Sequence, residues 1–299
     1  MYLIEIFKIL SLFFLIFIGI VNVGYISNRL FFKQKNFIEI NIIFGILSLS
    51  ILIGVILSLK IFDIKILFGI LSISYLLLFL YKKTAPKNLI SSKNIIIYII
   101  LLFIICASLK NNFYTLDDLN GYFYLINNFI HKTNLYNADL QHRLYFSYPL
   151  FSTLNSLFIS VSDLYSSWFF DLFFGTTIIL FTLKINLKKN NFFFYSISIV
   201  TVFLATTTTQ ETNTPKLIVI GLLLFTLFEI EKFYKNNDNL LLVFALSSLL
   251  IILKFTNIAS FTNCLILILL INKFIKKKIL LKEIIKPLLI SFLTFLPWF

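Results

Sequence analysis

Tyr148-Pro-Leu-Phe-Ser-Thr-Leu-Asn-Ser-Leu-Phe-Ile-Ser-Val-Ser162 is the stretch on which the architecture turns. It is apolar, but only about 15 residues long, against the roughly 20 needed to cross a bilayer, and Ser152, Thr153, Asn155 and Ser156 interrupt it. If it crosses a membrane, every later loop changes sides. If it does not, the later loops keep the sides that charge would give them.

The rest of the chain makes the membrane the relevant solvent. Of the 299 residues, 59% are hydrophobic and 13% are charged, with a mean hydropathy of +0.95; the charged share is about half that of a soluble domain. Further apolar runs cover about 3–27, 37–59, 64–81, 94–110, 164–187, 192–209, 217–233, 240–256 and 258–273, with a partial one at 287–299. The first run lacks a basic leader and a small-x-small cleavage site, so it reads as a retained span rather than a signal peptide. A net charge of +13 would suggest nucleic acid in a soluble protein, but here the lysines fall in short loops between apolar runs, which is the positive-inside pattern. Nucleic acid is therefore not an expected partner.

Those lysines decide between the two readings of 148–162. With that stretch held at the surface, the loops around 29–35, 82–93, 184–189, 232–235 and 273–286 share one side and carry 18 of the 26 basic residues. With it spanning, that side keeps only 9. The expected fold is therefore all-α and polytopic, with the N-terminus outside, about ten transmembrane helices, and amphipathic surface helices in the first large outer loop. Two regions follow: a three-helix segment, 1–93, and a membrane domain, 94–299, whose outer loop spans 111–163. Multi-pass residence in the inner (plasma) membrane is the expected localisation. Cys106 and Cys264 both lie in apolar runs and define neither a metal quartet nor a disulfide framework.

Polar chemistry concentrates in that outer loop. Tyr114-Thr-Leu-Asp-Asp-Leu-Asn-Gly-Tyr122 places Asp117 and Asp118 just after an apolar run. Thr115-x-x-Asp118 has capping-box spacing, so one reading is a helix start fixed by its own side chains. The other is a carboxylate left at the membrane surface to take a proton or to hold a divalent cation against a phosphate. Both of the chain's histidines, His131 and His142, follow in the same loop with Asp139 and Arg143. Their spacing matches no metal-ligand pattern, so metal ligands stay unassigned. Arg143 can grip a phosphate with two hydrogen bonds, or anchor at the interface beside Tyr145 and Tyr148.

Later outer positions add three more candidates. Asp171, about two turns into its apolar run, either faces the polar site or reaches the interface. Thr214-Pro215 reads as an N-cap and first helical position, which would aim free N–H groups and Lys216 outward as an anion site; a plain capped helix is the alternative. Lys254, at the outer end of an apolar stretch, either snorkels or binds a phosphate.

An acidic pair after a spanning helix, surface helices, a return helix ending in basic residues, a polar outer turn and a late lysine together resemble the GT-C superfamily of membrane glycosyltransferases. More closely, Asp117-Asp-Leu-Asn-Gly-Tyr122 with Asn137-Ala-Asp-Leu-Gln-His-Arg143 is similar to uncharacterised bacterial multi-spanning proteins with an Asp-Asp first outer loop. The likeness covers roughly 94–299. It implies sugar transfer from a polyprenyl-phosphate donor at the outer face, with Asp117 or Asp118 as base or metal ligand, and Lys254, Arg143, Lys216 and His142 toward the donor phosphate. A divalent cation, the donor lipid and membrane lipid are the implied cofactor and partners; oligomeric state is open. The chain departs from that pattern in carrying Thr212-Asn213-Thr214-Pro215 where an Asp is common, in the three helices that precede, and in ending at Pro297-Trp298-Phe299 where such proteins continue; a truncated product is the expectation. A polysaccharide polymerase or ligase, a lipid-linked-sugar transporter and a non-catalytic membrane protein are the competing classes. The near absence of charge within the spans argues against the transporter.

Overall fold

The computed structural model describes residues 2–32, 37–59, 61, 63–80, 149–162, 170–187, 217–236, 239–253, 257–276 and 281–295. Among these, regular structure is helical throughout, with no strand. The helices are α1 (Tyr2–Ser27), α2 (Ile38–Ser58), α3 (Ile64–Leu80), α4 (Pro149–Ser162), α5 (Gly175–Leu187), α6 (Leu217–Asn236), α7 (Leu240–Leu253), α8 (Asn257–Ile275) and α9 (Leu281–Phe295). Single π-helical turns, Asn28–Phe32 and Phe170–Phe174, end α1 and lead into α5. Among the described residues, two helical stretches are long and apolar enough to cross a membrane, Ser11–Phe32 and Ile38–Ser58, and Ile64–Phe79, Leu150–Val161 and Leu240–Leu253 are shorter apolar helices. The expected boundary at 93/94 and the spans at 94–110 and 192–209 lie outside the described residues.

Contacts fix the helix directions. Gly24 abuts the Asn41 backbone and Gly45 the Ile20 carbonyl, so α1 and α2 are antiparallel. Gly175 abuts Leu217, Gly221 abuts Ile178, and the Phe181 and Phe225 rings lie 6.1 Å apart; residue numbers rise together, so α5 and α6 are parallel. Phe17 meets Phe173 at 4.9 Å while Phe181 meets Phe37, at the start of α2, at 5.9 Å, so α5 also runs with α1. Asn239, with φ 66°, takes the left-handed conformation that asparagine tolerates and reverses the chain from α6 into α7. Ser247 bonds Asn263 and Ser248 bonds Ser291, while Ile284, Leu240, Phe233 and Leu270 share a cluster. It follows that α8 runs with α6, and α9 runs with α7.

These directions sort the charges. Of the ten lysines and arginines among the described residues, Arg29, Lys184, Lys232, Lys235, Lys273, Lys276, Lys282 and Lys286 belong to one end of the bundle, and Lys8 and Lys65 to the other. The grouping is the one the loop-charge argument requires. In particular, α5 running with α1 is the direction expected if 148–162 does not cross.

That stretch nonetheless corrects the sequence reading in one respect: α4 does not lie on the surface. Leu150, Phe151, Ser152, Thr153, Leu154, Asn155, Ser156, Leu157 and Phe158 are all buried, none more than 1% exposed. Phe158 meets Phe13 of α1 at 5.4 Å and Phe170 at 5.9 Å, and Phe151 meets Phe170 at 5.7 Å. The polar residues that suggested a water-facing side are small enough to be buried: Ser156 donates to the Thr153 carbonyl at 2.6 Å, while Ser152 Oγ and Asn155 Oδ1 are buried without a hydrogen-bond partner among the described residues. At 14 residues α4 is about 21 Å long, short of the roughly 30 Å apolar thickness of a bilayer, and it packs at the level where α5 begins. It is an inserted helix in the half of the bundle away from the basic end.

The main core joins α1, α2, α3, α4, the Phe170–Phe174 turn, α5, α6 and α7. Outward faces remain apolar as well: Ile73, Leu76 and Phe79 of α3, Ile271 of α8, and Ile285, Leu288, Leu289 and Phe292 of α9 are each more than half exposed. Water would oppose such a surface, whereas lipid tails accommodate it.

Candidate functional site

The residues singled out for chemistry, Asp117, Asp118, His142, Arg143, Lys216 and Lys254, all lie outside the described residues. In sequence they border described helices: Lys216 precedes Leu217, the start of α6; Lys254 follows Leu253, the end of α7; and the segment from Asp117 to Arg143 comes before Pro149, the start of α4. All three helix ends lie in the half of the bundle opposite the basic end.

Within that half, the most specific polar arrangement is made by Asp171. This residue sits on the π-helical turn before α5 and is 9% exposed. Its two carboxylate oxygens accept hydrogen bonds from Leu217 N, at 3.0 Å, and Ile218 N, at 2.9 Å. The first N–H groups of a helix have no intrahelical acceptor, and they carry the positive end of its dipole. A carboxylate from a neighbouring helix therefore answers both needs at once.

Packing sets this geometry. A Cβ on Gly175 would fall 2.4 Å from the Leu217 carbonyl carbon, so only glycine lets α5 come this close to the start of α6. One turn further along, a Cβ on Gly221 would sit 3.0 Å from the Gly175 oxygen and 3.1 Å from Ile178 Cβ. Asp171, four residues before Gly175, is held level with the first turn of α6.

Asp171 is buried and bonded to the backbone of another helix. One expectation is corrected by this: the N–H groups at the start of α6 are not free to face an external anion, because an internal carboxylate already accepts from the first two described ones. The sequence signal for Asp171 was its presence in an apolar run. Its partner left no signal, since backbone N–H groups carry no residue identity.

A second polar cluster, missed by sequence reasoning, lies at the basic end. Glu229, 2% exposed, accepts from Lys232 Nζ at 2.7 Å and from Asn239 Nδ2 at 2.9 Å. Lys273, 4% exposed, donates to the Phe233 carbonyl, with its ammonium 4.3 Å from the Phe233 ring centre and 5.7 Å from that of Tyr234. The lysine thus meets the last carbonyls of α6, where the helix dipole favours a cation. This cluster ties α6, α7 and α8 together and leaves little of Glu229 or Lys273 accessible to a ligand.

Among the described residues no group of three or more His, Cys, Asp or Glu side chains could hold a metal ion. No protein-family model matches the chain, and neither curated proteins nor solved structures yield a match.

Proposed function

We propose that the chain is a multi-pass protein of the inner (plasma) membrane, with the basic end of its bundle in the cytoplasm, and that it acts as a GT-C-like glycosyltransferase. In this reading it moves a sugar from a polyprenyl-phosphate donor to an acceptor at the outer face. The single observation that supports it is the shared level of the three helix ends described above. The start of α4, the start of α6 and the end of α7 border, in sequence, the loop of Asp117, Asp118, His142 and Arg143, then Lys216, then Lys254. In this reading, acids suited to activating a hydroxyl and cations suited to a phosphate gather at that half of the bundle, away from its lysine-rich end.

In that role Asp117 or Asp118 takes a proton from the acceptor hydroxyl or holds a divalent cation, and Lys254 and Arg143 grip the donor phosphate. Asp171 contributes indirectly: it fixes the start of α6, and with it the attachment of the Thr206–Lys216 segment. The apolar outward faces, and the basic residues gathered at one end, support membrane residence.

Mass spectrometry of lipids that copurify with the detergent-solubilised chain tests the donor. A polyprenyl-phosphate sugar is expected with the wild type and lost in Lys254→Ala; its absence from both removes the donor assignment. Sugar transfer unchanged in both Asp117→Asn and Asp118→Asn would remove the catalytic one. For topology, a reporter fused within 120–145 is expected outside and one fused at 275–282 inside, and the reverse pattern overturns the proposed sidedness.

A further inference from the structure

The basic end of the bundle carries a groove that the proposed outer-face chemistry leaves unused. It lies between the end of α1, the middle of α2 and α9, and has a volume of about 410 Å³, within the range of small-ligand sites. Its walls include Phe31, Leu52, Ile290 and Leu293. The two polar residues in its lining, Ser27 and Ser48, bond each other at 2.6 Å. No polar pair is left over to hold water, and a groove of this kind stays dry or takes an apolar guest. It opens sideways on the bundle surface, where Phe31 is 66% and Leu293 49% exposed.

Two exposed cations stand close in sequence to residues that line this groove. On α9, Lys286, Ile290 and Leu293 fall at i, i+4 and i+7, a single stripe: the apolar members line the groove and the exposed lysine continues the stripe toward the basic end. Arg29, also exposed, sits on the π-helical turn that supplies Leu30, Phe31 and Phe32 to the wall. An apolar slot that opens sideways, on helices that carry exposed cations next to its lining in sequence, has the pattern of a phospholipid, tail and headgroup.

We propose that this groove is a site for an anionic glycerophospholipid of the cytoplasmic leaflet. One acyl chain lies along α2 and α9, and the phosphate meets Lys286 and Arg29. Juxtamembrane cations attract such lipids, and a guanidinium adds paired hydrogen bonds to phosphate. A zwitterionic lipid offers the same tail without the net charge, so charge sets the selectivity while the slot sets the residence. The inference rests on the multi-pass membrane reading but not on glycosyl transfer.

The test is electron spin resonance of the full chain reconstituted in phosphatidylcholine vesicles doped with chain-labelled phosphatidylglycerol or chain-labelled phosphatidylcholine. The wild type is expected to immobilise the phosphatidylglycerol label with about fivefold preference per engaged cation. Lys286→Gln combined with Arg29→Gln should bring the two lipids to parity, and Lys286→Arg should keep the preference. Ile290→Trp, which fills the slot and leaves the cations, should reduce the immobilised fraction of phosphatidylglycerol. Equal immobilisation of both lipids by inserted wild type, or a preference that survives the double substitution, overturns the inference alone. Failure of the chain to float with vesicles overturns the membrane reading and the inference with it.

Discussion

The pairs α1–α2 and α5–α6 solve the same packing problem with different chemistry. In each, glycines bring two helices to backbone contact, and in each a π-helical turn carries the polar side chain that locks the pair. Between α1 and α2, a Cβ on Gly24 would lie 1.7 Å from the Asn41 oxygen, and one on Gly45 would lie 2.2 Å from the Ile20 oxygen. The lock there is neutral: Asn28 Nδ2 donates to Asn41 Oδ1 at 3.3 Å. Between α5 and α6 the lock is the Asp171 carboxylate on two backbone N–H groups.

Connectivity explains the difference. Helices α1 and α2 are antiparallel and only ten residues separate Ser27 from Ile38, so the chain itself keeps them adjacent. Helices α5 and α6 are parallel, with 29 residues between Leu187 and Leu217, and a short loop cannot join parallel neighbours. Their register must come from contacts. A charge-assisted pair of hydrogen bonds is stronger than a neutral amide bond, and it is placed where the chain gives least help.

This contrast can be broken from both sides. Gly24→Ala should be the most damaging change, since the added carbon meets backbone rather than a side chain that can turn away; a loss at or above the 1–3 kcal/mol typical of overpacking is expected, read from thermal unfolding in mild detergent. Gly175→Ala should follow closely, for the same reason. Asp171→Ala removes both acceptors from the start of α6 and should cost about 3 kcal/mol. Asp171→Asn retains one acceptor and should fall between that variant and the wild type. If Asp171→Ala unfolds at the wild-type temperature, the carboxylate is not the lock.

The neutral lock should matter less. Asn41→Leu is expected to cost about 1 kcal/mol, the scale of one ordinary hydrogen bond, and a loss equal to that of Asp171→Ala would erase the distinction between the two pairs. Gly69→Ala is the control: an added Cβ meets nothing within 4 Å, so the change should be neutral or stabilising by up to about 1 kcal/mol through helix propensity. Destabilisation by Gly69→Ala would mean that glycine substitution is harmful in this bundle irrespective of contact.

Helix positions were largely legible in the sequence because apolar runs broken by Lys, Asn and Pro report directly on what lipid or a core will accept. The expected run at 37–59 became Ile38–Ser58, and that at 217–233 became Leu217–Asn236. Within the run at 164–187 the described part is the Phe170–Phe174 turn followed by α5, and Pro287, where the last run was expected to begin, lies inside α9. Of the candidate site, the six proposed residues lie outside the described residues, so the structure leaves their assignment with the sequence. Asp171 was legible as unusual but not as a lock.

By itself the sequence determined the helical class, the apolar character of the helices and the segregation of lysines, since these depend on composition and spacing along one chain. Tertiary structure decided three things: that 149–162 is buried within the bundle, that α5 and α6 run side by side in parallel, and that Asp171 satisfies the start of α6. Each depends on which surfaces meet. A small hydroxyl can face water or bond its own backbone, and a carboxylate can seek a cation or a helix end. The chain's own periodicity does not choose between such partners; contact with another helix does.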